Sequence, residues 1–512
     1  VGTIVRTTKG ELEGTVEGKL LVFRGIPFAK APVGDLRFRP PRPMEPWQGV
    51  RDASRFGCRA VQIPNEALEA ILGRPESLPP ISEDCLNLNV WTPALDEKRR
   101  PVMVWIHGGG FTTGAGSEPI CDGQALVSRD VVLVTINYRL GPLGFLCAPG
   151  FAEGDEPYTN FGILDQIAAL EWVKAEIASF GGDPGNVTIF GESAGAMSVG
   201  TLLGAPAAKG LFQKAILQSG AAHQVLSEEV AAKNIVALAE AMGMKEPDVA
   251  GLRARPLDDI VEAQKTLDVE DARAQRRGAG FGLRYQPVLD GNLLPKPPIE
   301  QVRDGFAKDV PLLIGTTAEE YKVFGAMMPF LRDMSPDDAA SRLSTLLPGR
   351  DVAKARSILK TYEKARKASD ESTEPFELFC AAVTDWLFRV PADRLAEAQA
   401  KRQKVFSYRL DWRSPYGEGL LGACHAIDLP FVFGTHKLAR RWVGRGEDVD
   451  ALAAKIEDAW VAFARTGDPT TDALAWPEFD AARRKTMVLD RECRVVDEPR
   501  EEERRCWDGV IA

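Results

Sequence analysis

The chain has 512 residues, with Lys+Arg 63 against Asp+Glu 73 and a formal net charge of −10. That acidic balance excludes the concentrated basic surface on which nucleic-acid binding depends, and the longest apolar runs, such as 131–136, are strand length, far short of the ~20 residues that cross a bilayer. Eight cysteines with no CxxC spacing exclude a disulfide scaffold and a thiolate metal site, while a hydrophobic share of 45% against a charged share of 27% supports a large core.

In chain order, residues 2–15 alternate apolar and polar around a Lys9-Gly10 turn, which predicts a hairpin. Residues 27–50, rich in Pro and Arg, read as a long ordered loop. Runs at 86–91, 102–106 and 131–137 are β-rich, and the last two are apolar on both faces, as central strands covered by helices would be. Helical spacing follows over 163–179 (Ile163, Ile167, Leu170, Val173, Ile177), ending at Gly181-Gly182-Asp183-Pro184. A buried strand at 187–190 leads directly into a helix of small residues. Strand and helix in alternation predict a doubly wound α/β core. Charged helical segments at about 226–275 and 325–404 read as insertions in a single 1–512 domain, and 311–315 and 405–410 return to core-strand composition.

The strongest chemical signal is Gly191-Glu192-Ser193-Ala194-Gly195, set between the strand at 187–190 and a helix. A serine at such a junction is held exposed above the sheet, the glycines permit the cramped backbone, and the helix N-terminus faces developing negative charge. Its hydroxyl needs a base, and the chain has four histidines. His107 opens His107-Gly108-Gly109-Gly110 after a strand, where backbone N–H groups can form an oxyanion hole and the ring itself is structural. His223, in a loop just after a strand, and His436, on a polar stretch beside Lys437, stand in contexts that suggest no base. His425, in Gly422-Ala-Cys-His-Ala-Ile-Asp428, follows the last core strands, consistent with the order serine, acid, histidine. For the acid, Glu319 and Glu320 both follow the strand 311–315 directly and spacing does not choose between them; Asp290, in an Asp-Gly turn, is the weaker candidate.

These segments, with Phe23-Arg-Gly-Ile-Pro-Phe-Ala, Ser82-Glu-Asp-Cys-Leu-Asn-Leu-Asn-Val, Asn137-Tyr-Arg-Leu-Gly, Asn160-Phe-Gly and Phe463-Ala-Arg-Thr-Gly-Asp-Pro, resemble the type-B carboxylesterases of the cholinesterase-like α/β-hydrolase family from about residue 3 to residue 490. The resemblance implies an α/β-hydrolase fold and an ester hydrolase with Ser193 as nucleophile, Glu320 as acid and His425 as base. It further implies oxyanion donors at Gly109, Gly110 and Ala194, and a polar layer of Glu192, Ser219 and Asp428 behind the histidine. Glu320 is preferred because the family's acid stands second in an Asp-Glu-Gly motif, matched by Glu319-Glu320-Tyr321; Tyr321 in place of Gly is a departure. Phe281, Leu283 and Tyr285, with Arg284 among them, match the acyl-pocket segment. Arg37 and Glu83 match an ion pair, and Cys58 and Cys85 a disulfide, which would make this an exported enzyme, secreted or periplasmic, rather than a cytoplasmic one. Cys493 and Cys506 are a second candidate pair, on spacing alone. No metal or organic cofactor is implied; the partner is a small-molecule ester. The family's Trp for quaternary ammonium has no counterpart, since 59–84 contain no Trp, Tyr or Phe. The alternatives are a catalytically dead interaction module, which the presence of both Ser193 and His425 disfavours, and an amide or thioester hydrolase using the same groups.

Overall fold

Strands of mostly apolar residues run side by side through the centre of the molecule, and their carboxyl ends carry the segments singled out above. The structure, a computed structural model, describes residues 3–66, 69, 78–277 and 282–511. Among these, thirteen strands form one sheet. Its middle is parallel: Val132–Ile136, Arg100–Ile106, Gly182–Glu192, Lys214–Gln218, Leu312–Thr317, Val405–Leu410 and Thr486–Leu489 lie in that spatial order. Antiparallel strands extend one side, and Arg494–Val496 closes the other. Val132–Ile136, Lys214–Gln218 and Leu312–Thr317 are buried at every position, as strands covered on both faces must be. The fold is that of an α/β hydrolase, a large, mostly parallel sheet flanked by helices.

The expected hairpin is present as Thr3–Arg6 paired antiparallel with Glu11–Glu17, Arg6 opposite Glu11. The helix expected over 163–179 runs Phe161–Glu176 and tightens into a single 3₁₀ turn, Ile177–Phe180, before Gly181 at φ 76°. One boundary differs. The strand leading to Ser193 starts at Gly182 rather than near residue 187, because the Gly-Asp-Pro-Gly stretch already pairs with Arg100 across a bulge. In 226–276 the helices are Glu228–Ala241, Val249–Ala254 and Leu257–Arg276; further on they are Lys322–Met327, Pro336–Ser344, Val352–Ala368, Pro375–Thr384 and Val390–Ala400. Among the described residues no helix is long and apolar enough to cross a membrane.

The last two helices are one rod joined through a π-turn, Asp385–Arg389. The sequence explains it. Pro391 has no N–H to give the Leu387 carbonyl and its ring crowds that oxygen, so the turn widens. The freed carbonyl accepts instead from the Gln224 side chain at 3.4 Å.

Candidate active site

Four loops leave the carboxyl ends of parallel strands in the middle of the sheet, the position where open α/β sheets bind ligands. The first, after Arg100–Ile106, is the glycine loop. Gly109 has φ 104°, and a Cβ there would stand 2.3 Å from the Thr113 carbonyl, so only glycine closes this turn. The Thr112 and Thr113 N–H groups both donate to the Gly109 carbonyl, and the Gln62 side chain grips Gly114 through two 3.0 Å bonds. His107 is a structural ring, stacked on Tyr138 at 4.5 Å between centroids, with its own carbonyl accepting from the Tyr138 hydroxyl. Burial pushes its pKa down to about 4, so the ring stays neutral.

The second loop is the elbow. Ser193 sits at φ 56°, ψ −126°, between strand Gly182–Glu192 and helix Ala194–Gly204, a backbone region costly for a residue with a side chain. Its N–H is tied to the Gln218 carbonyl at 2.9 Å. From 187 to 204 every residue but Ser193 is buried, so the bend alone opens to the site. A Cβ on Gly195 would stand 2.0 Å from the Ile106 carbonyl, and one on Gly108 3.1 Å from the Ser193 Cβ, which shows how closely the elbow and the glycine loop are pressed together. The N–H groups of Gly109, Gly110 and Ala194 are spent on no other backbone carbonyl among the described residues.

The third and fourth loops bring in Glu320 and His425. Glu320 is fully buried, its Oε1 accepts from the Thr317 N–H at 2.7 Å, and its Oε2 lies 2.6 Å from His425 Nδ1. A carboxylate there selects the tautomer with the proton on Nδ1 and the lone pair on Nε2. The ring meets Phe324 at 5.2 Å and Phe388 at 4.7 Å between centroids, both tilted against it. Nε2 has no hydrogen-bond partner among the described residues, and its separation from Glu192 Oε1 is 3.1 Å. Contacts to a nucleophile commonly tighten only when substrate arrives.

Glu319, the neighbouring candidate, has other work. Its carboxylate accepts from the Ala423 N–H at 2.9 Å and pairs with Arg413 at 2.6 Å and Lys322 at 2.8 Å, tying down the loop that carries His425. Asp290 is a turn-former whose Oδ1 accepts from the N–H groups of Asn292 and Leu294. Behind the histidine, Asp428 accepts from Gln218 at 2.8 Å and Tyr408 at 3.2 Å, and the Trp460 indole holds the other end of Gln218 at 3.2 Å. Ser219 is buried at φ 55°, with its N–H on the Gly315 carbonyl. Burial raises Asp428 to about 6 and Glu192 to about 8. Burial also opposes charge on His425, but the Glu192 and Glu320 carboxylates outweigh it and lift the ring to about 9. Glu192 and His425 therefore each bear on the other's protonation.

The Carboxylesterase family profile matches residues 1–507. A para-nitrobenzyl esterase of Bacillus subtilis is 41% identical over 98% of this chain and 98% of its own. A phenmedipham hydrolase of Pseudarthrobacter oxydans is 38% identical over 96% and 95%. The crystal structure of a Geobacillus stearothermophilus carboxylesterase superposes with a TM-score of 0.86 at 38% identity, covering 99% of this chain and 100% of that one. The chain belongs to the carboxylesterase family. It is a carboxylic-ester hydrolase.

In this carboxylesterase Leu283 stands beside the glycine loop, its Cδ2 3.5 Å from where a Cβ on Gly110 would be. Tyr285 is packed into the core at 1% exposure, and Phe281 lies outside the described residues. Arg284 is paired with Asp271, its Nε donating to Oδ2 at 2.9 Å. The expected Arg37–Glu83 pair is present and two-pronged, with both bonds at 2.6 Å. The expected Cys58–Cys85 bridge is not: all eight cysteines are free. The two segments are joined through main chain instead, because the Asn87 amide donates to the carbonyls of both Cys58 at 2.9 Å and Cys85 at 3.1 Å. Burial pushes both thiols up. An exported location argued from that bridge loses its footing. Cys493 and Cys506 are likewise free, their thiols directed to the carbonyls of Asp490 and Glu502.

Sequence reasoning did not reach Phe388, Gln62 or Asn87, since each has a partner far along the chain, His425, Gly114 and Cys58 in turn. Phe324 carries a weak signal, being four residues beyond Glu320 at the start of a helix.

Proposed function

We propose that this carboxylesterase hydrolyses small esters through an acyl-enzyme on Ser193, with His425 as base and Glu320 as its orienting acid. The observation that carries this is the buried 2.6 Å contact between Glu320 Oε2 and His425 Nδ1, placed behind a strained serine elbow. Nε2 of His425 takes the hydroxyl proton as Ser193 Oγ bonds to the ester carbonyl carbon, and the carbonyl electron pair moves to oxygen. The N–H groups of Gly109, Gly110 and Ala194 receive that oxyanion; losing one strong donor costs about 3–4 kcal/mol of transition-state stabilisation. As the carbon–oxygen bond to the alcohol breaks, Nε2 returns the proton to the departing oxygen. Water then gives a proton to Nε2 while its oxygen attacks the acyl-serine, and the acid leaves as Ser193 regains its hydrogen. Glu192 Oε1 lies 3.1 Å from Nε2, where the carboxylate, once ionised, favours the imidazolium formed at each step.

An organophosphonate should label Ser193 one to one and abolish turnover of a nitrophenyl ester, and Ser193→Ala should bind the ester without a burst of alcohol. Wild-type turnover by Ser193→Ala would overturn the mechanism.

A further inference from the structure

His425 meets an aromatic ring from another part of the chain, and the turn that carries that ring is bonded to a buried polar chain. Phe388, 1% exposed, occupies the π-turn Asp385–Arg389 and faces the His425 ring at 4.7 Å. Asp385 and Arg389 bracket this turn as a buried pair, Arg389 Nε donating to Asp385 Oδ1 at 2.6 Å. The second carboxylate oxygen of Asp385 also accepts from the Tyr362 hydroxyl. Tyr362 in turn accepts from the Trp507 indole N–H at 2.8 Å, and both rings are 0% exposed. Arg389 Nη1 reaches the same late segment, donating to the Pro499 carbonyl at 2.9 Å. The helix entering the π-turn also holds the acid side of the site, since Thr384 Oγ1 accepts from the Tyr321 N–H, next to Glu320, at 3.0 Å.

We propose that segment 499–507 is a positioning element for the catalytic histidine, acting through Tyr362, Asp385 and Arg389 to fix the turn that sets Phe388 against His425. The inference rests on the reading of His425 as the base. A π-turn lacks the regular i→i−4 ladder, so its shape depends on what grips it from outside. Pro391 opens this turn, and the Asp385–Arg389 pair with its outer partners chooses where the ring comes to rest. Without that grip the imidazole can swing on its Glu320 contact, and a sub-ångström error at Nε2 is felt directly in proton transfer. Tyr362, Asp385, Arg389 and Trp507 touch neither ester nor serine and so are positioning residues.

The test uses full-length Tyr362→Phe and Trp507→Phe, each deleting one link while retaining an aromatic ring. Active sites are counted by organophosphonate titration, and kcat is expressed per titrated site. Per-site kcat should fall about ten- to a hundredfold with KM within about twofold, and the double variant should be no worse than Tyr362→Phe, because the two bonds form one chain. A role in folding alone would lower the titrated fraction or Tm and leave per-site kcat at the wild-type value; that result overturns the proposal. Should either variant not fold, Phe388→Leu decides, since it keeps the network and removes only the ring: wild-type per-site kcat there is equally fatal. His425→Gln is run in parallel. If it turns over normally, the reading of His425 has failed; if it is dead while the network variants keep full per-site kcat, only the positioning proposal has.

Discussion

Glu320 Oε2 lies 2.6 Å from His425 Nδ1, while the carboxylate of the adjacent Glu319 takes the Ala423 N–H at 2.9 Å, two residues before that histidine. Consecutive acids thus divide one task, one orienting the ring and the other fixing the loop that bears it. The division follows from backbone geometry: past the end of strand Leu312–Thr317 the two side chains diverge, one to the fully buried side and one to Arg413 and Lys322.

Substitution should separate the two roles. Glu320→Gln removes the charge that favours the imidazolium and the preference for a proton on Nδ1, so kcat should drop by about 10⁴ with KM little changed. Glu319→Gln leaves the ring's partner in place and loosens the loop, costing roughly 1–3 kcal/mol of stability and far less of kcat. Steady-state kinetics with a thermal melt on both variants checks this; equal kcat losses would mean that the acids have been assigned wrongly.

Glu192 sets the acid limb. Its carboxylate raises the His425 pKa, so more protonated, inactive base is present at a given pH than the ring alone would hold. Base function is lost as pH falls through that pKa. In Glu192→Gln the raising influence is gone, the pKa drops, and the acid limb of kcat/KM should move to lower pH, even as the maximal kcat falls. A limb that stays put or moves upward would show that the Glu192 carboxylate does not raise the His425 pKa.

Much of this site is readable in the residues themselves. Ser193 is marked by two glycines and a preceding apolar strand, and the glycine loop by its position after another, because both depend on local backbone shape. His425 and the pair Glu319/Glu320 emerge by elimination and order, but which acid faces the ring is a matter of side-chain direction past a strand end, which spacing does not encode. The Cys58–Cys85 bridge shows the opposite error. The two segments do lie close, both gripped by Asn87, yet closeness of backbone is not a covalent bond, and both sulfurs are free. Phe388 is out of reach for another reason. Pro391 within a helical pattern signals an irregular turn, but nothing local says that the ring on that turn meets His425 rather than the general core.

Choline esters should find no special welcome. Residues 59–84 carry no aromatic side chain, so the ring face that would hold a quaternary ammonium from that loop does not exist. A choline ester and its uncharged isostere should differ in kcat/KM by less than about tenfold. A larger preference for the cation would place the ammonium site on another aromatic.

Thiol chemistry gives a direct count. With all eight cysteines free, titration of the denatured, unreduced protein should find eight thiols, and Cys58→Ser should change Tm little, since Cys58 is only partly buried. Six thiols would restore a bridge.

Gly422 tests how rigidly Glu319 is held. Its φ is 58°, and a Cβ there would stand 2.3 Å from Glu319 Oε2. An unrestrained carboxylate would swing aside, but this one is fixed by the Ala423 N–H, Arg413 and Lys322. Gly422→Ala therefore carries two penalties, left-handed backbone strain of about 1–3 kcal/mol and the loss of at least one Glu319 contact. Gly18→Ala is the control, because Gly18 has a similar φ of 61° with nothing within 4 Å of its added Cβ. Gly422→Ala should lower Tm more than Gly18→Ala, and it alone should lower kcat, because the disturbed loop carries His425 three residues later. Equal melting shifts with unchanged kcat in both variants would mean that Glu319 yields freely and does not hold the histidine loop.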